Sequence, residues 1–312
     1  MGTLATRMAF GKELIEIAKT NKDFVVCNAD TKTCCLENFG KLFPGREFSF
    51  GIAEQNLVGG AAGLAACGNK VFLATFAVFA SMRACEQVRT FVCYPKLNVT
   101  VIGTHTGLQV GGDGATHAAI EDVAIMRSLP NMTVVQPADA VSARAIARAA
   151  VNFEGPLYIR LHRNPVADIY DPATYRFEWG KANVVAEYGM DFTIFVSGIL
   201  LQKALTAAHI LKEQGIGCRV VDMATIKPLD KNAIIEAAQK TGAIMTVEDH
   251  TVYGGLGAAI AEVVTQTFPV PMDIVGIQDR FGESGDPELL YRDHEMDVDS
   301  LVRRAKILVG RK

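Results

Sequence analysis

Short apolar runs and stretches of helical spacing alternate along the whole chain. Residues 4–20 put Leu14, Ile17 and Ala18 on one helical face. Asp23-Phe-Val-Val-Cys27 then reads as a buried strand that ends in Asn28-Ala-Asp30, and Phe43-Pro-Gly-Arg46 as a turn. Phe48-Ser-Phe-Gly-Ile-Ala-Glu-Gln-Asn56 begins as a β-prone run, turns at Gly51, and passes into a helix of small residues, Leu57-Val-Gly-Gly-Ala-Ala-Gly-Leu-Ala-Ala66. The spacing predicts further strands over 70–76, 98–103, 133–137 and 156–161. Helices are predicted over 79–91 and over 139–151, the latter capped by Asp139. This alternation predicts an α/β fold around a parallel sheet.

Residues 165–190 are polar and rich in Tyr, Asp and Pro. A linker over 171–188 is therefore expected between a first domain, 1–170, and a smaller second one, 189–312. The second domain repeats the alternation, with strands at 192–196, 218–222, 243–248 and 273–277. Its helices are expected at 200–214, 230–240 and 257–266. A length of 312 residues suits two domains.

Composition narrows the function. Hydrophobic residues make up 49% and charged residues 21%, with a net charge of -3, which argues against a nucleic-acid or membrane-surface role. No apolar run approaches the ~18 residues of a membrane span. The N-terminus lacks the apolar segment of a secretory signal, and Met-Gly alone is no argument for acylation. Seven scattered cysteines without a C-x-x-C pair fit neither a disulfide framework nor a zinc site, so buried thiols in a reducing cytoplasm are expected.

Candidate chemistry gathers at three places. Glu54 stands at the strand-to-helix junction, before a helix in which Gly59, Gly60 and Gly63 each cost about 1 kcal/mol relative to Ala. Close approach of another backbone would offset that cost; a first-turn carboxylate facing water is the plainer reading of Glu54. The loop 104–117 carries His105 and His117 around Gly111-Gly-Asp113-Gly114, a set suited to acid–base work and substrate contacts more than to a compact metal site. Arg160 and Arg163 end a strand and could fork onto a phosphate or carboxylate, or form a surface ion pair. Glu248-Asp-His250 reads as a strand-end cluster at a domain contact. Asp30 follows a strand end, where α/β sheets hold ligands, although a helix cap is the commoner reading. No dinucleotide fingerprint or P-loop is present.

Over nearly its whole length the sequence resembles the C-terminal half of transketolases, and more closely the separate C-terminal subunit of split ones. The motifs that carry the resemblance are Phe50-Gly-Ile-Ala-Glu-Gln-Asn56, Ala74-Thr-Phe-Ala-Val-Phe79, and Thr104-His with Gly112-Asp-Gly-Ala-Thr-His117. Met132 with Gln136-Pro137 and Phe281-Gly-Glu-Ser284 add to them. Deoxyxylulose-phosphate synthases and the β subunits of 2-oxo-acid dehydrogenases share the Glu motif, but the loop Gly112-Asp-Gly-Ala-Thr-His117 and Phe281-Gly-Glu-Ser284 point to transketolase rather than to the β subunits. The resemblance implies a pyrimidine-binding domain followed by a transketolase C-terminal domain, and thiamin diphosphate as cofactor. Glu54 matches the acid that hydrogen-bonds N1′ of the aminopyrimidine. Phe79, with Phe76 beside it, matches the ring stacked on that pyrimidine, and Asp30 an acid near the cofactor. His105 and His117 match catalytic residues near the donor sugar, Asp113 the acid that reads a sugar hydroxyl, and Arg163 a sugar-phosphate ligand.

Two departures follow. Thr31-Lys-Thr-Cys-Cys35 stands where many transketolases carry a serine that holds the substrate phosphate, and Thr33 could replace it. The family's N-terminal half, whose Gly-Asp-Gly and downstream Asn hold Mg²⁺ and the diphosphate, has no counterpart here. The resemblance thus implies half an active site, completed in a heterotetramer by an N-terminal subunit, with the glycine-rich helix packed across the interface. The expected reaction moves a glycolaldehyde unit from a ketose phosphate to an aldose phosphate. Another thiamin-dependent ketol transfer is the rival enzyme reading. A scaffold subunit would have no need of Glu54, His105, Asp113 and His117 together.

Overall fold

The structure, a computed structural model, describes residues 3–312, with Lys32 and Thr33 described in their backbone only. The first half contributes β1 (Thr3–Ala5), β2 (Phe24–Asn28), β3 (Glu47–Ser49), β4 (Lys70–Phe76), β5 (Val99–Thr104), β6 (Thr133–Val135), β7 (Leu157–Arg160) and β8 (Pro165–Ala167). The second contributes β9 (Asn183–Glu187), β10 (Phe192–Val196), β11 (Cys218–Asp222), β12 (Thr225–Lys227), β13 (Ile244–Thr251) and β14 (Met272–Ile277).

Among the described residues these strands make two main sheets, ordered β12-β6-β7-β5-β4-β2-β3 and β14-β13-β10-β11-β9. Strands β2 to β7 are parallel; β12 runs antiparallel on β6, and β9 antiparallel on β11. A separate pair, β1 with β8, ties the N-terminus to the end of the first half.

Successive side chains of a strand face opposite ways, and β4 shows what that does. Val71 and Leu73 join a core with Leu57, Val58 and Val88, whereas Phe72 and Ala74 join one with Phe10, Leu14 and Ile146. Helices therefore cover both faces, as a parallel sheet requires. Asp139 caps its helix as expected, accepting from the Ser142 amide at 2.8 Å while Ser142 returns a bond to the cap.

The structure differs from the sequence reading at several elements. Strand β9 lies inside the span expected as linker and is already an edge of the second sheet. Strand β13 continues past Glu248 to Thr251, buried throughout. Between Phe79 and Cys93 the expected helix contains wide π turns, and two C-terminal helices, Pro287–Asp293 and Val298–Val309, were not anticipated. All seven cysteines are free thiols, five of them buried and Cys67 exposed. No helix of the described residues is long and apolar enough to cross a membrane.

Candidate active site

Parallel strands end on a common edge, and that edge of an α/β sheet is where ligands bind. Here β2 ends at Asn28 just before Asp30, β4 ends at Phe76, β5 at Thr104 before His105, and β7 at Arg160 shortly before Arg163. From β3 the chain turns through Gly51, at φ +66, into the helix Glu54–Ala66. Its first residue, Glu54, is 2% exposed. The positive end of the helix favours a carboxylate there, and Arg83 donates to Glu54 Oε2 at 2.8 Å. Glu54 is thus withdrawn from water, and the plainer reading of it is set aside.

Of the three helix glycines, only Gly60 meets a neighbour. A Cβ there would lie 2.3 Å from the Phe50 ring, while Gly59 and Gly63 face open space. Packing within this chain accounts for one of the three.

Beside Glu54 the rings of Phe76 and Phe79 lie nearly parallel, 5.8 Å apart and 16° from coplanar. The Arg83 guanidinium sits 4.1 Å from the Phe79 ring centre, so one cation touches both the acid and the aromatic surface. Wide π turns, common at functional sites, carry Phe79 and Arg83. His105 packs 4.2 Å from the Phe76 ring centre, and His117 meets both phenylalanines edge-on at 5.7 and 5.5 Å.

His105 is buried and sits at φ +59, a conformation uncommon outside glycine and found at functional sites. Its Nδ1 lies 3.0 Å from Thr104 Oγ1. Burial, helped by the Arg7 and Arg163 charges, pushes its pKa down to about 4. At neutral pH it is an uncharged hydrogen-bonding group, not a cation.

Asp113 pairs with Arg163 at 3.3 Å, and Arg163 Nη1 also donates to the Val110 carbonyl at 2.6 Å. Arg7 in turn donates to the Arg163 carbonyl at 3.0 Å and to the Cys34 carbonyl at 2.6 Å. Asp30 is exposed at φ +58, and among the described residues no side-chain bond joins it to the cluster. The Thr33 side chain lies outside the described residues.

Arg160 corrects its sequence reading. It is neither a surface arginine nor open to a ligand, but fully buried, with two guanidinium nitrogens on Asp122 at 2.8 to 3.1 Å. Glu248-Asp-His250 is the domain contact expected of it: Asp249 accepts from the Leu108 amide, and His250 Nε2 from the Ala124 amide. Arg83 and Arg7 went unnoticed in the sequence. Arg83 follows Phe79 by four residues, a spacing that puts both on one helical face and could have pointed to it. Among the described residues no group of three or more His, Cys, Asp and Glu side chains is placed to hold a metal ion.

This arrangement offers a buried acid, an aromatic platform and two imidazoles on one sheet edge. Residues 2–167 match the transketolase pyrimidine-binding domain, and residues 180–301 the transketolase C-terminal domain. A putative transketolase C-terminal section of Methanocaldococcus jannaschii is 42% identical over 304 residues, covering 96% of this chain and 94% of its own length. A 6-deoxy-6-sulfo-D-fructose transketolase subunit of a Clostridium species is 41% identical, over 96% and 92%. Among solved structures, a split-gene transketolase described as an inactive β4 tetramer matches with a TM-score of 0.91 and 47% identity, over 99% of both chains.

Proposed function

The chain belongs to the transketolase family, and we propose that it is the C-terminal subunit of a two-chain, cytoplasmic transketolase that moves a glycolaldehyde unit from a ketose phosphate to an aldose phosphate. The observation that carries this reading is the buried Glu54 carboxylate beside the half-buried Phe76–Phe79 pair. An acid next to an aromatic platform suits a flat heterocycle with a basic ring nitrogen, which fits the aminopyrimidine of thiamin diphosphate. When bound, thiamin diphosphate supplies the electron sink for cleaving the bond beside a ketose carbonyl.

In this reading Glu54 shares a proton with the pyrimidine N1′, and Phe79, flanked by Phe76, stacks against the ring. Asp30 stands near the cofactor. His105, uncharged, and His117 hydrogen-bond to oxygens of the donor sugar. Asp113 accepts from a sugar hydroxyl, and Arg163 faces its phosphate. Mg²⁺ and the diphosphate are held by the N-terminal partner, in a heterotetramer.

The open side of the glycine helix supports the need for a partner. Gly59 and Gly63 face outward, and the neighbouring turn and the segment Phe79–Cys93 expose Ile52, Met82 and Phe91. Such a surface, next to the site, suits a second subunit.

The purified chain is expected to show no ketose turnover and no tight binding of thiamin diphosphate with Mg²⁺; both should appear on adding the partner subunit. Calorimetric titration with and without that subunit is the measurement. Stoichiometric tight binding by the lone chain would overturn the half-site reading, and binding without ketose-phosphate turnover in the complex would turn the choice to the rival ketol transfer or the scaffold role. A 6-sulfo ketose, named for one relative, is the second donor to assay beside the ketose phosphates.

Asp113→Ala is expected to lower donor kcat/KM by about 10- to 100-fold, the value of a hydrogen bond to a charged group. It should leave cofactor affinity in place. Asp113 and Arg163 are both about one-third or more exposed, so their ion pair contributes under about 1 kcal/mol and the fold should hold. Steady-state kinetics with donor varied, alongside cofactor titration, separate the two effects. Collapse of cofactor binding with unchanged donor kinetics would remove Asp113 from the sugar site.

A further inference from the structure

One side of the loop 104–117 rests on the second domain. Leu108 and Val110 belong to the same buried cluster as Phe192, Ile194, Val247 and Tyr291. One side of the loop is thus part of the second domain's core, and the other carries His105, Asp113 and His117. At the centre of the contact stands Asp249 of β13, 1% exposed. Its Oδ1 accepts from the Leu108 amide at 3.0 Å, and its Oδ2 from the Tyr291 hydroxyl at 2.8 Å. Its carbonyl accepts from Arg160 Nη2 at 2.9 Å, which ties it to the buried Arg160–Asp122 pair. His162 Nε2 lies 3.8 Å from Oδ2.

The loop is shaped to receive this carboxylate. Gly107 has φ +65, and a Cβ on it would fall 2.0 Å from Asp249 Oδ2, so only glycine admits the acid so close to the backbone. Farther along the loop, the Gly285 amide donates to the Gly111 carbonyl at 3.4 Å, and a Cβ on Gly114 would lie 2.3 Å from Ser284 Oγ. These are contacts of shape. Asp249 supplies a charged one, and a bond from a backbone amide to a buried carboxylate is directional and strong for its size.

We propose that Asp249 is a positioning residue of the transfer reaction: from the second domain it holds the backbone at Leu108 and so sets where His105, Asp113 and His117 stand. The second domain, which contributes none of the proposed sugar contacts, thereby acts as the mould of the sugar-reading loop. The kinetic part of this inference rests on the proposed function; the structural part does not.

Asp249→Asn keeps the size but loses the charge and one of the two acceptor oxygens, so the Leu108 amide and the Tyr291 hydroxyl can no longer both donate to it. Tyr291→Phe leaves the Leu108 bond and frees the far oxygen, so its effect should have the same direction and be smaller. In the full-length chain, hydrogen–deuterium exchange is expected to speed up across 104–117 by about 10- to 100-fold in Asp249→Asn, the range for a hydrogen bond to a charged group. Exchange in β10 and β14 should stay as in the wild type. With the partner subunit present, donor kcat/KM should fall by a similar factor while cofactor affinity stays within about twofold. Unchanged loop exchange in both variants overturns the proposal, and so does a uniform rise over the whole second domain, which marks a merely structural residue. Because exchange is read without substrate, an enzyme inactive on every sugar tested would count against the proposed function and leave the loop measurement decisive.

Discussion

Glu54→Gln, assembled with its partner subunit, is expected to slow hydrogen–deuterium exchange at the thiazolium C2 of bound thiamin diphosphate by about 10²- to 10⁴-fold, the usual range of a general acid–base group. Gln has nearly the shape of Glu and can still hydrogen-bond a ring nitrogen, so the cofactor should remain bound. It cannot share a proton, and the exchange depends on that. The burial of Glu54, 2% exposed at a helix start, makes the comparison clean, since solvent cannot take over the missing role. Arg83 loses its ion-pair partner, but its side chain is 47% exposed and water can replace the bond, at a cost under about 1 kcal/mol. Fold and assembly should therefore match the wild type. Rapid-quench exchange followed by proton NMR of the released cofactor makes the measurement. Equal rates in the two proteins would strip Glu54 of its part in the chemistry and leave it a buried helix-start carboxylate.

The second large effect concerns stability. Asp122→Ala is expected to destabilise the chain by about 3–5 kcal/mol, the cost of leaving a buried charge without its partner. Arg160 and Asp122 are both fully buried, and Tyr158 also donates to Asp122, at 2.7 Å. Removing the acid strands an arginine and a phenol together. The remaining hydrogen-bond partners of Arg160 are the carbonyls of Ala119 and Asp249, and the Asp249 carboxylate attracts its charge without replacing the paired bonds of Asp122. Urea unfolding of the purified chain tests this. A loss below about 1 kcal/mol would mean that water reaches Arg160 once the acid is gone, and that its burial is less complete than the packing indicates.

Strands β2 to β7, β10, β11, β13 and β14 were legible because each is a short apolar run closed by polar residues, and the cap at Asp139 because capping is local; the short strands β1, β8, β9 and β12 were not. Other features depended on pairs far apart in the chain. Arg160 looks the same in sequence whether it lies on a surface or in a core, and its partner Asp122 sits on another element. Glu54 and Arg83 likewise meet only when the sheet edge brings the helix Glu54–Ala66 beside the π turns. Glu248-Asp-His250 read as the end of a strand because three polar residues are rarely buried together. The strand continues because each is satisfied from elsewhere: Glu248 by the Leu256 and Gly257 amides, Asp249 by Leu108, His250 by Ala124. By contrast, the last helix, Val298–Val309, was within reach. Leu301, Ala305 and Leu308 are buried at helical spacing, a signal left unread.

Strand β12 lies in the second half of the chain yet forms the outer edge of the first sheet, antiparallel to β6. The first sheet is therefore not a closed unit in the order of synthesis. As the chain leaves the ribosome, β6 waits with an open row of hydrogen-bonding groups until Thr225–Lys227 emerges, and an open strand edge invites pairing with other nascent chains. Chaperones or an early-bound partner would be most useful in that interval. A fragment ended between the domains would carry the same raw edge permanently, together with the bared apolar side of the loop 104–117 and a core that lacks Ile226.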